Sequence, residues 1–339
     1  MRKNGIHEIG TDKKRLPKLM GYFIFFVLSV SALFFYLNDE FWRLKGVPSS
    51  ADVLRVFGCG SKAYANAESG EASVSFIDVG QGDCELIRAN GYNILIDSGE
   101  EYYKNDVAGF LKFSGVDRLD MVILSHPHSD HCGGMYDILR SFDAGLFLMP
   151  ELPEALMPQN AEYKKMLSVI NENGINARYS KPNERFKLGE NCFLELLSPL
   201  YFDYDSVNDF SVVVKFVYGE SSFLFTGDLS EFSELDLLES GADIGADVLK
   251  AAHHGSKGSS CEEFLNAVSP KITVFEVGEI NSNEQPSTEV LERLIKAGCH
   301  TTYCTAENGN VTIFSDGSSL RVETERSEAL VLDDRIRAF

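Results

Sequence analysis

From residue 73 onward, short apolar runs alternate with turn residues, a pattern that predicts strands joined by tight connections. Residues 74–79, 84–89 and 92–97 each read as a strand. Asn90-Gly91 between the last two is a two-residue hairpin signal, because both residue types tolerate positive φ. A helix over 106–113 precedes a strand that ends at His126. Further strands are expected at 145–149, 192–197, 211–218, 222–226, 248–252, 272–277, 301–305 and 311–314. Helices fit 162–173, 230–240, 260–268 and 287–297, and another begins near Met135. Hairpins mixed with strand–helix units predict an α/β fold: two mixed sheets face to face, with helices outside. No repeat of fixed period is visible.

The first residues form a different object. Residues 19–38 contain no charged side chain and include Phe23, Ile24, Phe25, Phe26, Val27, Leu28, Leu33, Phe34 and Phe35. About 20 apolar residues cross a bilayer as a helix, so 19–38 is expected to be a single transmembrane anchor. Lys13, Lys14, Arg15 and Lys18 precede it, and Asp39 and Glu40 follow it. This asymmetry places residues 1–18 in the cytosol and the remainder outside the cell, on a single-pass membrane protein. No small-x-small site closes the apolar run, so the anchor is expected to stay uncleaved. Residues 39–72 are small and polar and read as a linker. The catalytic domain is expected over 73–320, with a tail over 321–339.

Composition narrows the choice of partners. The 339 residues are 44% hydrophobic, enough for one large core, and carry a formal charge of −20 without a single long acidic tail. That charge argues against sequence-blind attraction to nucleic acid, which depends on basic surface. Seven cysteines are too scattered for a disulfide framework, and buried free thiols are expected for most of them.

Chemistry concentrates in His126-Pro127-His128-Ser129-Asp130-His131, which holds three of the seven histidines. Pro127 keeps His126 extended, and residues two apart then share a side, so His126 and His128 can hold one ion. Asp130 and His131 follow where the chain turns and can aim at a second point. Imidazole with carboxylate suits zinc, with manganese or iron as competitors. Asp228 follows the apolar run 222–225, and His253-His254 follow the apolar run 248–252. Thr226-Gly227-Asp228 alone also suits a helix cap. Adjacent strand residues point oppositely, so one of His253 and His254 is a direct ligand; which one stays open.

His126-x-His128-x-Asp130-His131, Phe225-Thr226-Gly227-Asp228 and Ala252-His253-His254-Gly255-Ser256, in this order, resemble the metallo-β-lactamase fold superfamily. Phe76-Ile77-Asp78-Val79-Gly80-Gln81-Gly82-Asp83 and Leu95-Ile96-Asp97-Ser98-Gly99 are similar to the hydrolase domain of DNA-uptake competence proteins of the ComEC type. The resemblance runs from about residue 73 to about 317. It implies an αββα sandwich, a dinuclear metal centre and a bridging role for Asp228. The implied ligands are His126, His128, Asp130, His131, Asp228 and one or both of His253 and His254, with Asp130 and Asp228 essential for catalysis.

Three positions depart from the family pattern. No histidine lies between His131 and His253; Asn208 stands near that place, as the competence-type subgroup also shows. Gln285-Pro286 replaces a usual His-Pro, and Cys304 stands where arginine is usual. A cysteine cannot hold phosphate through a bidentate fork, so Asn208, Ser256 and Lys257 become the substrate-binding candidates. The expected activity is metal-dependent hydrolysis of a phosphodiester, DNA included, by a hydroxide held on two divalent ions, zinc first and manganese second. An envelope phosphodiester of the teichoic-acid type, a β-lactam or a thioester are the alternative substrates. A metal-binding module without turnover is the remaining alternative, and the intact ligand set opposes it.

Overall fold

A computed structural model describes residues 29–31, 33, 34, 70–279, 281, 283–326, 330 and 331. The chain divides into two compact units, residues 1–61 and 62–339. In the first, residues 29–31, 33 and 34 are helical, and the rest of the expected anchor lies outside the described residues. No helix among the described residues is long and apolar enough to cross a membrane.

In the second unit, strands β1 (Ala72–Phe76), β2 (Glu85–Ala89) and β3 (Tyr92–Ile96) form an antiparallel meander. Asn90 and Gly91 both have positive φ, 51° and 85°, which gives the hairpin the twist of its strands. Helix α1 (Lys104–Phe113) then leads to β4 (Arg118–Ile123). The short helices α2 (Ser129–Cys132) and α3 (Met135–Ser141) lead to β5 (Asp143–Met149), and α4 (Ala161–Glu172) leads to β6 (Ala177–Tyr179). Strands β3 to β6 are mutually parallel.

The second half repeats this plan. An antiparallel run β7 (Glu184–Gly189), β8 (Cys192–Leu196), β9 (Val214–Tyr218) and β10 (Ser221–Phe225) precedes α5 (Glu231–Glu239). Parallel strands β11 (Val248–Lys250), β12 (Ile272–Phe275) and β13 (Thr301–Cys304) follow, interleaved with α6 (Glu262–Val268) and α7 (Thr288–Lys296). After the one-turn helix α8 (Thr305–Asn308), β14 (Val311–Ser315) and β15 (Leu320–Thr324) cross back to the first sheet, and β16 (Leu330–Val331) pairs with β13. The result is two eight-stranded mixed sheets, ordered β15-β14-β1-β2-β3-β4-β5-β6 and β16-β13-β12-β11-β10-β9-β8-β7.

Alternation along the strands builds the layers. Val74, Phe76, Ile94, Ile96, Met121 and Ile123 meet Val214, Phe216, Phe223, Phe225, Val248 and Val274 between the sheets. Their strand neighbours Leu86, Leu95 and Val122 face outward against Val107, Phe110, Leu111 and Ile138 of the helices. Leu224, Leu249 and Phe275 do the same against Leu237, Phe264, Leu265 and Leu294. With both faces covered, the central strands read as continuous apolar runs. This is the expected four-layer αββα arrangement.

Several elements differ from the sequence expectation. β6, β7, β15 and β16 were not anticipated, since they are short or half-exposed and carry little apolar alternation. The strand expected to reach His126 stops at Ile123, and the one expected over 211–218 begins only at Val214, after a 3-10 turn at Val207–Phe210. β15 runs through the expected domain end at residue 320, and Arg326 bonds the Asp78 carboxylate. The six described cysteines are buried free thiols.

Phe225 is fully buried between the sheets, its ring centroid 6.0 Å from that of Phe76. Phe225→Ala should therefore cost about 3–5 kcal/mol. The exposed Phe232→Ala should stay within about 0.5 kcal/mol. Urea unfolding of the two variants in parallel checks both figures.

Candidate metal centre

The site lies where parallel strands end at their carboxyl edges, the usual ligand position in α/β folds. β3 delivers Asp97, β4 delivers the stretch 125–131, β10 delivers Asp228 and β11 delivers His253 and His254. The stretch after β4 stays extended through His128 (φ −73°, ψ 156°) and then enters α2, which carries Asp130 and His131, the His131 ring lying 4.1 Å from that of His126. A Cβ on Gly82 would lie 2.2 Å from the Asp130 carbonyl oxygen, so glycine there lets the Asp83 loop lie against α2.

Asp130, His131, Asp228 and His254 bring ligand atoms within 4.8 Å of one another. Asp228 Oδ1 is 3.4 Å from His131 Nε2 and 3.7 Å from His254 Nε2. Asp130 Oδ2 is 3.6 Å from His254 Nε2 and 4.0 Å from His131 Nε2. Ligands at about 2.1 Å around a tetrahedral ion stand roughly 3.4 Å apart, so these four atoms match a zinc-sized shell. His131 Nε2, His254 Nε2 and Asp228 Oδ1 are buried and make no hydrogen bond within the protein. Buried polar atoms seldom remain so without a ligand or water.

The other oxygen of Asp228 faces a looser group. Oδ2 is 3.8 Å from His126 Nε2 and 3.7 Å from His253 Nε2, and His126 Nε2 is 3.0 Å from His128 Nδ1. His253 is 35% exposed and marks the mouth of the site. Asp228 thus stands between two sets of imidazoles, one on each oxygen.

The histidine pair does not sit on a strand. β11 ends at Lys250, and His253 and His254 are both left-handed, at φ 50° and 55°. That conformation costs on the order of 1–3 kcal/mol per residue and collects at functional sites. It is held by His253 N–H donating to the Gly227 carbonyl and by Gln285 Nε2 donating to the His253 carbonyl at 3.0 Å. Gln81 donates in turn to Gln285 Oε1 at 2.8 Å. His254 therefore enters the tight group while His253 flanks the opposite side.

Residues not chosen as site residues from sequence orient the ligands. His131 Nδ1 is 2.8 Å from Asp97 Oδ2, and Asp97 also accepts from the Ser125 backbone N–H at 2.7 Å. His254 Nδ1 is 2.8 Å from the Glu276 carbonyl and 3.2 Å from Asp83 Oδ1. With Nδ1–H donated outward, each Nε2 lone pair is left for a metal. Asp83 is paired with the fully buried Lys250. Asp83 and Asp97 stood within the quoted motifs, so their types were visible; Lys250, at the end of an apolar run, gave no signal.

The electrostatics favour a cation. Burial disfavours imidazolium, yet the Asp228 and Asp83 carboxylates outweigh it and lift His254 to about 10. His131 is raised well above the ordinary range against the same opposition, by Asp228, Asp83 and Asp97. Burial would raise Asp228, but His254 and His131 hold it well below the usual range. Asp130 is likewise lowered against burial by the imidazoles of His254 and His131 beside it. His126 is pushed far down by burial and by the charge of His131, which outweigh the pull of Asp228. The carboxylate field that favours positive charge on these two imidazoles, His131 and His254, also attracts a divalent ion, and the donor set fits one.

Asn208 lies in the 207–210 turn, partly buried, with an Oδ1 that has no hydrogen-bond partner. Ser256 is partly buried beyond the histidine turn, and Lys257 is exposed. Among the described residues no hydrogen bond or ion pair joins these three side chains to a ligand atom. Cys132 is buried with its thiol toward the Pro127 carbonyl at 3.7 Å, and burial pushes it up to about 12.

Two mixed sheets with this cluster at their carboxyl edge define a metal-dependent hydrolase fold. The family model of the metallo-beta-lactamase superfamily matches residues 77–275, and the chain belongs to that superfamily. Its homologues are competence proteins of the ComEC type. It is 30% identical over 244 residues to ComE operon protein 3 of Bacillus subtilis, which covers 67% of this chain and 31% of that protein. Competence protein ComA of Neisseria gonorrhoeae is 31% identical over 230 residues, 67% of this chain and 30% of that one. Recombination protein 2 of Haemophilus influenzae is 31% identical over 226 residues, 65% and 26% respectively. The chain thus spans about a third of the length of these relatives or less.

Asp97→Ala removes the acceptor that orients His131, so zinc affinity should fall roughly 10- to 100-fold. Cys132→Ala, whose thiol points away from the centre, should leave it unchanged. Competition against a chromophoric chelator measures both. Equal affinity in the Asp97 variant and the native protein would remove that role.

Proposed function

We propose that the protein hydrolyses phosphodiesters with divalent transition ions, zinc or manganese, which Asp130, His131, Asp228 and His254 would hold in the tight group and His126, His128 and His253 in the looser one. The observation that carries this is the Asp228 carboxylate itself, with His131 and His254 on Oδ1 and His126 and His253 on Oδ2. Such ions supply Lewis acidity and lower the pKa of bound water to about 7, so no protein nucleophile is needed.

The chain supplies the rest. Asp228 faces both groups of imidazoles, and Asp130, kept ionised by His254 and His131, completes the tight one. His253, more exposed than His254, stands at the mouth of the site. Ser256 and Lys257, just beyond it, offer a hydroxyl and a point charge to the phosphate. Hydrolysis adds water across one P–O bond: phosphorus keeps the hydroxyl, and the departing alkoxide takes the proton.

The likeness to competence proteins supports DNA as one substrate to test. The charge of −20 favours smaller or non-polymeric phosphodiesters, those of the cell envelope among them. Residues 19–38 are proposed to anchor the chain in the cell membrane, with the hydrolase outside. Protease added to intact cells should then release a soluble fragment beginning within 39–72; protection of that fragment until lysis would reverse the orientation.

Asp228→Ala should lower kcat/KM on bis(p-nitrophenyl) phosphate by at least about 100-fold, the scale of losing one electrostatic element. Lys257→Ala should act mainly on KM. Steady-state kinetics with metal content measured alongside checks both. A β-lactam or thioester turned over far faster than any phosphodiester would keep the fold and reject the substrate class.

A further inference from the structure

Two segments beside the metal centre share an unusual composition. Residues 199–212 and 226–241 contain no lysine, arginine or histidine, but they carry Asp203, Asp205, Asp209, Asp228, Glu231, Glu234, Asp236 and Glu239. They also carry Tyr201, Phe202, Tyr204, Phe210 and Phe232. Asp209 locks the segments together, its Oδ1 accepting from Ser230 N–H at 3.2 Å and from the Ser230 and Ser233 hydroxyls at 2.6 Å.

The rings form one cluster. Tyr204 and Phe210 are buried and meet edge to face at 5.3 Å and 88°. Around this base stand Tyr201 (6.0 Å from Tyr204), Phe202 (6.2 Å from Phe210) and Phe232 (6.2 Å from Tyr204), the last two near right angles. These three are 50%, 54% and 64% exposed. Large rings left this open on a folded surface mark a binding surface more often than chance. Asp203, Asp205 and Glu231 are exposed beside them, and none is engaged by an ion pair among the described residues.

The cluster adjoins the reacting centre. Phe232 follows Asp228 by four residues, so their Cα atoms are at most about 14 Å apart. Ser211, next to Phe210, accepts the Asp228 N–H at 3.0 Å, and its hydroxyl is 3.4 Å from His126 Nδ1. The base of the cluster is thus tied through Ser211 to both Asp228 and His126.

What could such a rim hold? Nucleobases stack on aromatic rings, but single-strand binding couples stacking to a basic groove for the backbone. Here the flanking groups are carboxylates, which repel phosphates. Aromatic faces combined with carboxylates complement one chemistry, an organic cation: ring quadrupoles attract it within about 6 Å, and the carboxylates add charge. We propose that this rim binds an alkylammonium group on the substrate. The substrate is then a phosphodiester with an amine-bearing alcohol, zwitterionic rather than polyanionic. The inference rests on the phosphodiesterase reading for its phosphate half, and on the rim alone for its ammonium half.

The test compares p-nitrophenyl phosphocholine with its carbon isostere, p-nitrophenyl 3,3-dimethylbutyl phosphate, which keeps the anionic phosphodiester and lacks only the ammonium charge, on the metal-loaded protein. The ammonium ester should have a kcat/KM roughly 5- to 10-fold higher, the scale of one or two partly exposed cation–π contacts with a carboxylate. Phe232→Ala and Tyr201→Ala should each bring that ratio toward one, with unfolding and metal content confirming intact protein. Equal kcat/KM for the two esters in the native protein, or a ratio that survives both substitutions, would overturn the proposal.

A binding arm stands apart from turnover. Calorimetry with tetramethylammonium chloride should show millimolar binding that Phe232→Ala abolishes. If neither ester is hydrolysed, the phosphodiesterase reading fails, and this arm decides the rim by itself. Absence of tetramethylammonium binding to the native protein overturns the ammonium assignment. So does binding of a short oligonucleotide or a lysine-rich peptide at the rim in its place.

Discussion

Everything at the carboxyl edge of the sheets depends on keeping Asp228 ionised in a place where water cannot solvate it. Burial alone would neutralise that carboxylate, and only the imidazoles around it, or cations in their midst, keep it charged. The same constraint spreads outward. Asp83 and Asp97 hold His131 and His254 by Nδ1, and Lys250 offsets Asp83 from the far side. Next to Lys250 the carboxyls of Glu85 and Glu276 are raised by burial and by their acidic neighbours, Glu276 to about 8. Such a concentration of buried ionisable groups is a poor way to stabilise a fold, because desolvating each ion costs several kcal/mol that pairing only partly returns. Its retention makes sense as a framework for cations.

The two-sheet sandwich serves this arrangement. Each half runs an antiparallel meander into parallel strands, and the parallel strands β3, β4, β10 and β11 end side by side. Their buried faces on both sides leave the strand ends as the place where polar chemistry can gather. The left-handed turn at His253 and His254 is affordable because Gly227, Gln285 and Gln81 hold it by hydrogen bonds.

Much of this was legible from residue order, and the reasons for the rest are physical. The Asn90-Gly91 hairpin, the apolar runs of β3, β4, β10 and β11, and the helices at 161–172 and 288–296 declare themselves through local preference and period. β7, with the half-exposed sequence Glu184–Gly189, has no apolar face clear enough to read, and β6 is too short to show a period. The ligand types were visible in the histidine motif and around Asp228. The division of labour between His253 and His254 was not, because strand alternation was the wrong geometry for a left-handed turn. The pairing of Lys250 with Asp83 joins residues 167 apart in sequence (250 − 83), and no local pattern carries it.

The two sides of Asp228 are unequal, and this inequality shapes the chemistry. Oδ1 meets a closed, buried set in which each imidazole is fixed by a partner on its other nitrogen. Oδ2 meets His126 and the half-exposed His253. The Oδ1 side would offer an ion donors whose orientation is already set by their Nδ1 partners, whereas the Oδ2 side has fewer fixed donors and opens to solvent at His253. The neighbouring segments 199–212 and 226–241 are aromatic and acidic and carry no basic side chain, so under the proposed reading the charge on the remainder of the substrate is where discrimination would arise.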